Sequence, residues 1–273
     1  MMASGNRGRT DRQSSNLRVR RSWIQILNLV VGMALLAGLS GACGESLPSR
    51  LPASLGATED RSVPSTILDI PLVDERGQPS SLDAYRGKVL AVADFLTSCQ
   101  EECPITTGAF LQMRAAVAHA GLGARVAFAE ISVDPERDTP ARLAAYAKLT
   151  GIDLDLLTGT AANLGALWHY FGVYNQKVPE GKPPGIDWET GKPYTYDVDH
   201  SDGFFIIDAT GHERFLTGGM GDLHDQLPSS LAKLLDDDGQ HDLADPGGGS
   251  WTVSQGLDAI GWVVGRAIPN RAG

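Results

Sequence analysis

The chain has 273 residues, 42% of them hydrophobic, enough to bury one substantial core and leave room for tails. Its net charge of −10 hides an asymmetry, because residues 1–43 hold six arginines against a single acid, Asp11. No basic stripe follows, which argues against a nucleic-acid binder, and three cysteines are too few for a disulfide scaffold at this length. An acidic body of this kind attracts cations or basic partners.

Residues 1–21 are polar and basic, closing on Arg18, Arg20 and Arg21, and Ser22 to Ala42 then run without a charge to Cys43. A basic region, an apolar region and a small-residue end describe an export signal, and Arg20-Arg21 hints at the twin-arginine type. Leu39-Ser40-Gly41-Ala42-Cys43 resembles a bacterial lipoprotein cleavage site, with the leucine one position further out than usual. Two outcomes stay open: lipidation of Cys43 after cleavage, or an uncleaved signal-anchor helix. Both tether the domain at the extracytoplasmic face of a bacterial cytoplasmic membrane. Residues 44–66, rich in Pro, Ser, Leu, Ala and Gly, read as a linker.

The folded body is expected over residues 67–237. Ile67 to Val73, a turn at residues 74–78 and a return to Leu82 predict a hairpin. Val89 to Phe95 and Arg125 to Val133 read as buried strands, and Leu154 to Leu157 as a short one. Helices are predicted after Pro104, after Thr139-Pro140 and after Thr160, where capping residues precede apolar residues at helical spacing. Phe204 to Ile207 and Arg214 to Leu216 predict a second hairpin, and Leu223 to Leu235 a closing helix capped by Asp222. This order is that of an α/β thioredoxin-like sandwich, a central mixed sheet flanked by helices with an N-terminal hairpin. Residues 173–199 interrupt it before the last hairpin with a Pro/Gly-rich insertion, too rich in breakers for a regular element and too long to be idle. Residues 238–273 form a C-terminal extension in which Trp251, Val253, Leu257, Ile260 and Val264 predict an amphipathic helix, docked on the body in preference to a membrane surface.

Cys99 and Cys103 stand between the first buried strand and the helix that follows, at a helix N-terminus that favours a thiolate. Such a pair binds a soft metal or exchanges with a disulfide. Three residues separate the cysteines, where a thioredoxin-type oxidoreductase favours two. The charges of Glu101 and Glu102 between them are expected to oppose thiolate formation and to attract a cation. No further cysteine follows in the body to complete a structural zinc site.

Three stretches carry a resemblance: Thr97-Ser98-Cys99-Gln100-Glu101-Glu102-Cys103-Pro104, Ser132-Val133-Asp134-Pro135-Glu136-Arg137-Asp138-Thr139-Pro140, and Asp197-Val198-Asp199-His200-Ser201. Over residues 67–237 the chain resembles the Sco/SenC family of membrane-tethered, thioredoxin-fold copper proteins that serve cytochrome c oxidase assembly. Gln100 departs from the family pattern, which has proline after the first cysteine. The resemblance implies copper, as Cu(I), Cu(II) or both, held by Cys99, Cys103 and His200; Asp199 beside the histidine either orients the imidazole from behind or is simply solvated. Two thiolates and an imidazole are a soft, low-coordinate set that suits Cu(I). Asp134 to Pro140 reads as a turn and helix cap, and His119, His169, His212, His224 and His241 as structural or surface residues. The implied partner is the copper-site subunit of cytochrome c oxidase or another copper protein. The alternative is a thiol–disulfide oxidoreductase that uses Cys99 and Cys103 as a redox-active pair to keep acceptor cysteines reduced. A metallochaperone is favoured over an enzyme, and no feature places a peroxide beside Cys99.

Overall fold

The structure, a computed structural model, describes residues 51–223 and 226–270. The leader, Cys43, the start of the linker and His224 lie outside the described residues. No helix among the described residues is long and apolar enough to cross a membrane.

In chain order the elements are β1 (Ala57–Ser62), α1 (Ser65–Leu68), β2 (Leu72–Asp74), β3 (Pro79–Ser80), a 3₁₀ turn (Leu82–Tyr85), β4 (Val89–Phe95), α2 (Glu102–His119) and β5 (Val126–Ser132). There follow α3 (Pro140–Thr150), β6 (Asp155–Thr158), α4 (Ala161–Phe171), β7 (Asn175–Val178), β8 (Asp197–His200), β9 (Gly203–Ile207) and β10 (His212–Gly218). The chain closes with β11 (Gly221–Asp222), α5 (Ser229–Ala232), α6 (Asp237–Ala244), β12 (Trp251–Thr252) and α7 (Val253–Val264).

Eight strands make the main sheet in the order β1-β10-β9-β4-β5-β6-β2-β3. The central pairs β4/β5 and β5/β6 are parallel, with Phe95 opposite Ser132, and the outer pairs are antiparallel. All seven residues of β4 are buried, as a strand covered on both faces requires. Ala91 and Ala93 meet α2 and α7 through Phe110, Met113, Leu257 and Ile260. Leu90 and Val92 face the opposite layer, where α3 and α4 contribute Leu143, Tyr146, Leu167 and Trp168. This is the thioredoxin-like α/β sandwich, and its parallel centre delivers the end of β4 and the start of α2 to one edge. The caps expected at Thr139 and Thr160 are present, each hydroxyl accepting a backbone N–H three residues on.

Several segments depart from the sequence reading. Ile67 and Leu68, expected to begin the first hairpin strand, lie in helix α1, and β2 starts only at Leu72. Ala57–Ser62, placed in the linker, is an edge strand on β10; an edge strand with a solvated face needs no apolar alternation, so its sequence carries no strand signal. The closing helix expected over 223–235 is one turn, α5, whose N-cap is Pro228, while Asp222, the expected cap, lies in β11 and pairs with Thr252 of β12. The insertion 173–199 is regular where the reading had no element: β7 and β8 pair antiparallel, and Ile186 bridges Pro193 nearer the tip. Finally, residues beyond 237 belong to the body. Leu257, Ala259 and Ile260 of α7 are fully buried beneath α2, the burial of Leu257 and of Ile260 being worth about 1.5–3 kcal/mol each. The helix itself was expected, as was its docking on the body.

Candidate metal centre

Asp94 is the one charge in an otherwise apolar strand, and it is only 4% exposed. A buried carboxylate needs donors. Its Oδ1 accepts the backbone N–H of Gly203 at 2.7 Å, and its Oδ2 lies 2.7 Å from His200 Nδ1. That bond assigns the Nδ1 proton to the Asp94 side and leaves Nε2 toward the sulfurs, 3.9 Å from Cys103 Sγ. His200 arrives there because β8 alternates: buried Val198 and half-buried His200 share a face, while Asp197 and Asp199 are exposed on the other. Asp199, expected to orient the ring, therefore points away from it, and Asp94 takes that place.

The cysteine loop is clamped where it leaves β4. The Thr97 N–H and hydroxyl meet the carboxylate of Asp138, which also accepts from Ser132 Oγ at 2.6 Å. The same hydroxyl accepts from Arg142 Nε at 2.7 Å, and the Thr97 carbonyl accepts from Trp188 Nε1 at 2.7 Å. The stretch from Asp134 to Pro140 thus serves as the turn and cap expected of it, and Asp138 also anchors the loop. Glu101 at the start of α2 provides no side-chain cap. Cys99 Sγ substitutes, accepting the Cys103 N–H at 3.3 Å. Both cysteines are free thiols, Cys99 half-buried and Cys103 buried.

Their protonation is asymmetric. A hydrogen bond from Cys103 lowers the Cys99 thiol against the cost of burial, and with His200 beside it the value falls to about 5. Cys103 moves well above its ordinary range, because it donates to Cys99 and is buried. Burial disfavours a charged His200, yet the Asp94 hydrogen bond and Cys99 outweigh it and raise the ring to about 11. The metal-free site is therefore a Cys99 thiolate facing a His200 imidazolium. The sequence reading had Glu101 and Glu102 suppressing the thiolate; the shifts fall on the glutamates instead. Burial, then the Cys99 charge, raises Glu101 to about 7. Glu102 rises to about 8 through its hydrogen bond with Asp202, burial adding to it.

The structure thus brings Cys99, Cys103 and His200 together, and leaves Asp199 outside. Asp94, His200 and Asp202 also offer ligand atoms within 4.8 Å of one another, although Asp94 is committed to His200 and Gly203. Asp94 and the Thr97 clamp were missed by the sequence reading. Asp94 had a signal, a lone acid inside a buried strand; Trp188 and Arg142 had none, because their partners lie 91 and 45 residues away.

The chain is 25% identical to a SCO2-like protein of Rickettsia felis over 68% of its own length and 86% of that protein's. It is 24% identical to the mitochondrial SCO1 homolog of Mus musculus over 70% of this chain and 63% of that one. Among solved structures, copper-bound ScoI of Bradyrhizobium japonicum aligns with a TM-score of 0.45 and 26% identity, covering 60% of this chain and 92% of that one. A model of the SCO1/SenC family matches residues 60–233, which hold the whole of the cysteine loop, Asp94 and His200, and the chain belongs to that family.

Proposed function

We propose that this protein binds one copper ion through Cys99, Cys103 and His200 and delivers it to, or matures, the copper site of cytochrome c oxidase. The observation that carries the reading is the convergence of two sulfurs and an imidazole whose Nδ1 is held by Asp94, so that Nε2 is the free donor. Two thiolates and a neutral imidazole suit a soft monovalent cation, and membership of the SCO1/SenC family supports the same assignment. Loading requires the Cys103 thiol and the His200 imidazolium to give up protons, so copper uptake releases protons to solvent. Residues 1–43 tether the domain outside the cytoplasmic membrane, by a lipid on Cys43 or by a retained helix; mass spectrometry of the membrane-extracted protein distinguishes these.

One observation favours a second reading. A low-pKa, half-buried Cys99 backed by a buried Cys103 is the asymmetric pair that thiol–disulfide exchange uses. Cys99 would attack an acceptor disulfide and Cys103 would resolve the mixed disulfide. The acceptor then gains two electrons and two protons, and the pair is left oxidised. Metal analysis after copper reconstitution, run beside acceptor reduction for the parent and His200→Ala, separates the two. Loss of copper delivery with reduction intact assigns the histidine to the metal role; delivery at the parent rate would reject that role.

A further inference from the structure

The proposed site opens into a cleft of about 1030 Å³, lined on one side by the cysteine loop and α6 and on the other by the hairpin that carries His200. Both walls carry acids. Glu101 and Glu102 come from the loop, Asp202 follows β8, and exposed Asp237 and Asp238 open α6. No lysine or arginine among the described residues forms an ion pair with any of these five, and Lys182 is the single lysine or arginine that lines the cleft. The facing wall is mixed: Val178, Pro183 and Ile186 line it among Glu180, Lys182, Asp197 and Asp199, and Ile186, 50% exposed, is an apolar spot within an acidic cleft. Between them Ser98, only 7% exposed, lines the cleft beside Cys99 with its hydroxyl lacking any hydrogen-bond partner.

The α6 wall is fixed in place. The Asp236 N–H donates to the Gln100 carbonyl at 2.9 Å, and a Cβ on Gly239 would come within 2.4 Å of that same oxygen. Only glycine lets α6 lie this close to the cysteine loop. These residues fall after position 233, where the family match ends, so this wall is supplied by the chain's own C-terminal segment.

We propose that this cleft is a docking surface for a protein loop that carries lysine or arginine beside an apolar side chain, and that the acidic wall before α6 selects for such an acceptor. A small cation would engage the carboxylates alone. It would leave Ile186 bare, the Ser98 hydroxyl unpaired and most of the volume unused. A peptide segment satisfies all three: its cations face Asp237 and Asp238, its apolar side chain covers Ile186, and its backbone pairs with Ser98 Oγ. The inference rests on the proposed delivery of copper, since the occupant is the acceptor's own loop.

The test uses the full chain, reduced, metal-free and copper-loaded, with a fluorescent lysine-rich peptide bearing one leucine and a control in which glutamates replace the lysines. The lysine peptide should bind, and raising salt to about 1 M, where the Debye length is about 3 Å, should weaken it at least ~tenfold. Asp237→Lys with Asp238→Lys should weaken binding roughly tenfold. Ile186→Ser should weaken it about threefold. Asp236 is left intact because it caps α6, and thermal unfolding of each variant verifies its fold. Equal binding of the glutamate peptide, parent-like affinity in the double variant, or displacement of the peptide by calcium at matched ionic strength would overturn the surface. Copper content is read on the same samples: full copper without peptide binding rejects the docking surface alone. Peptide binding without copper rejects the proposed function and leaves an acidic docking cleft.

Discussion

The two halves of the proposed copper site are held in different ways. Cys99 and Cys103 sit on a loop whose first residue, Thr97, is bound through its N–H, hydroxyl and carbonyl to Asp138, Arg142 and Trp188. His200 ends β8, which pairs only with β7 in a separate two-stranded ribbon, and β7 is mostly exposed. Asp94 ties the His200 ring to the main sheet, and the hairpin that carries it rests on the clamp through Trp188 on Thr97 and Tyr196 on Asp134. If the site holds copper as proposed, the sulfurs on the clamped loop would be its firm ligands and the imidazole, whose ring is oriented by one carboxylate, would be the one expected to leave first.

The sharpest way to break this comparison is to delete one ligand from each half. Cys103→Ser should abolish bound copper, because one thiolate and one imidazole no longer make a soft site. His200→Ala should retain copper at reduced affinity and fail in transfer to an acceptor. Metal analysis and transfer kinetics read both, and equal losses in the two variants would refute the hierarchy.

Asp94→Asn attacks the tie to the histidine ring. Asparagine keeps an oxygen for the Gly203 N–H but loses the charge that holds His200. Copper affinity should fall about 10–100-fold, measured by competition with a Cu(I) chelator. The charge of Asp94 also reaches Cys99 through the ring, so the pH profile of Cys99 alkylation should move. In the parent that profile is expected to have its midpoint at about 5, and in the variant to lie higher. The signs follow from linkage. Cys99 is depressed from 9.0 to about 5, so its contribution to stability is full above the unfolded value and is lost as pH falls through about 5. His200 is raised from 6.5 to about 11; its contribution is full below 6.5 and disappears as pH rises through about 11. The reduced, metal-free domain should therefore lose stability from this pair at both extremes, which denaturant titration across pH would reveal.

Effects on the clamp should be smaller for copper and larger for the fold. Arg142 is 7% exposed and contacts Thr97, Asp187 and Glu189 while its guanidinium stacks on Trp188. Arg142→Ala leaves Asp138 and Asp187 without their cation and should cost about 3 kcal/mol in denaturant unfolding. Trp188→Phe removes one hydrogen bond to Thr97 and keeps most of the ring, for about 1 kcal/mol and little change in static copper binding.

How far the sequence foretold this depends on where each signal resides. Buried strands, caps and the thioredoxin-like order were legible because apolar runs and Thr-Pro or Thr caps act locally, as at β4, Thr139 and Thr160. The two cysteines and His200 were legible through three motifs in a fixed order. Asp199 was read as the orienting acid because adjacency in sequence suggested it, but adjacent residues of a strand face opposite ways, and the partner came from a different strand, 106 residues earlier. The edge strand Ala57–Ser62 and the ribbon β7/β8 were invisible because their stability comes from a distant partner, not from their own composition.

The placement of α7 has a consequence for the order in which this molecule is made. Ribosomes complete the chain from its N-terminus, yet Leu257, Ile260 and Val264 are what cover Phe110, Met113 and Val117 of α2. A nascent chain that has reached the cysteine loop, the sheet and His200 still presents that face of α2 to water. Its thiols lack the α6 wall that rests on Gln100. The fold closes only once α6 and α7 have been made, and until then the half-made domain depends on whatever shields an apolar helix and two reduced thiols.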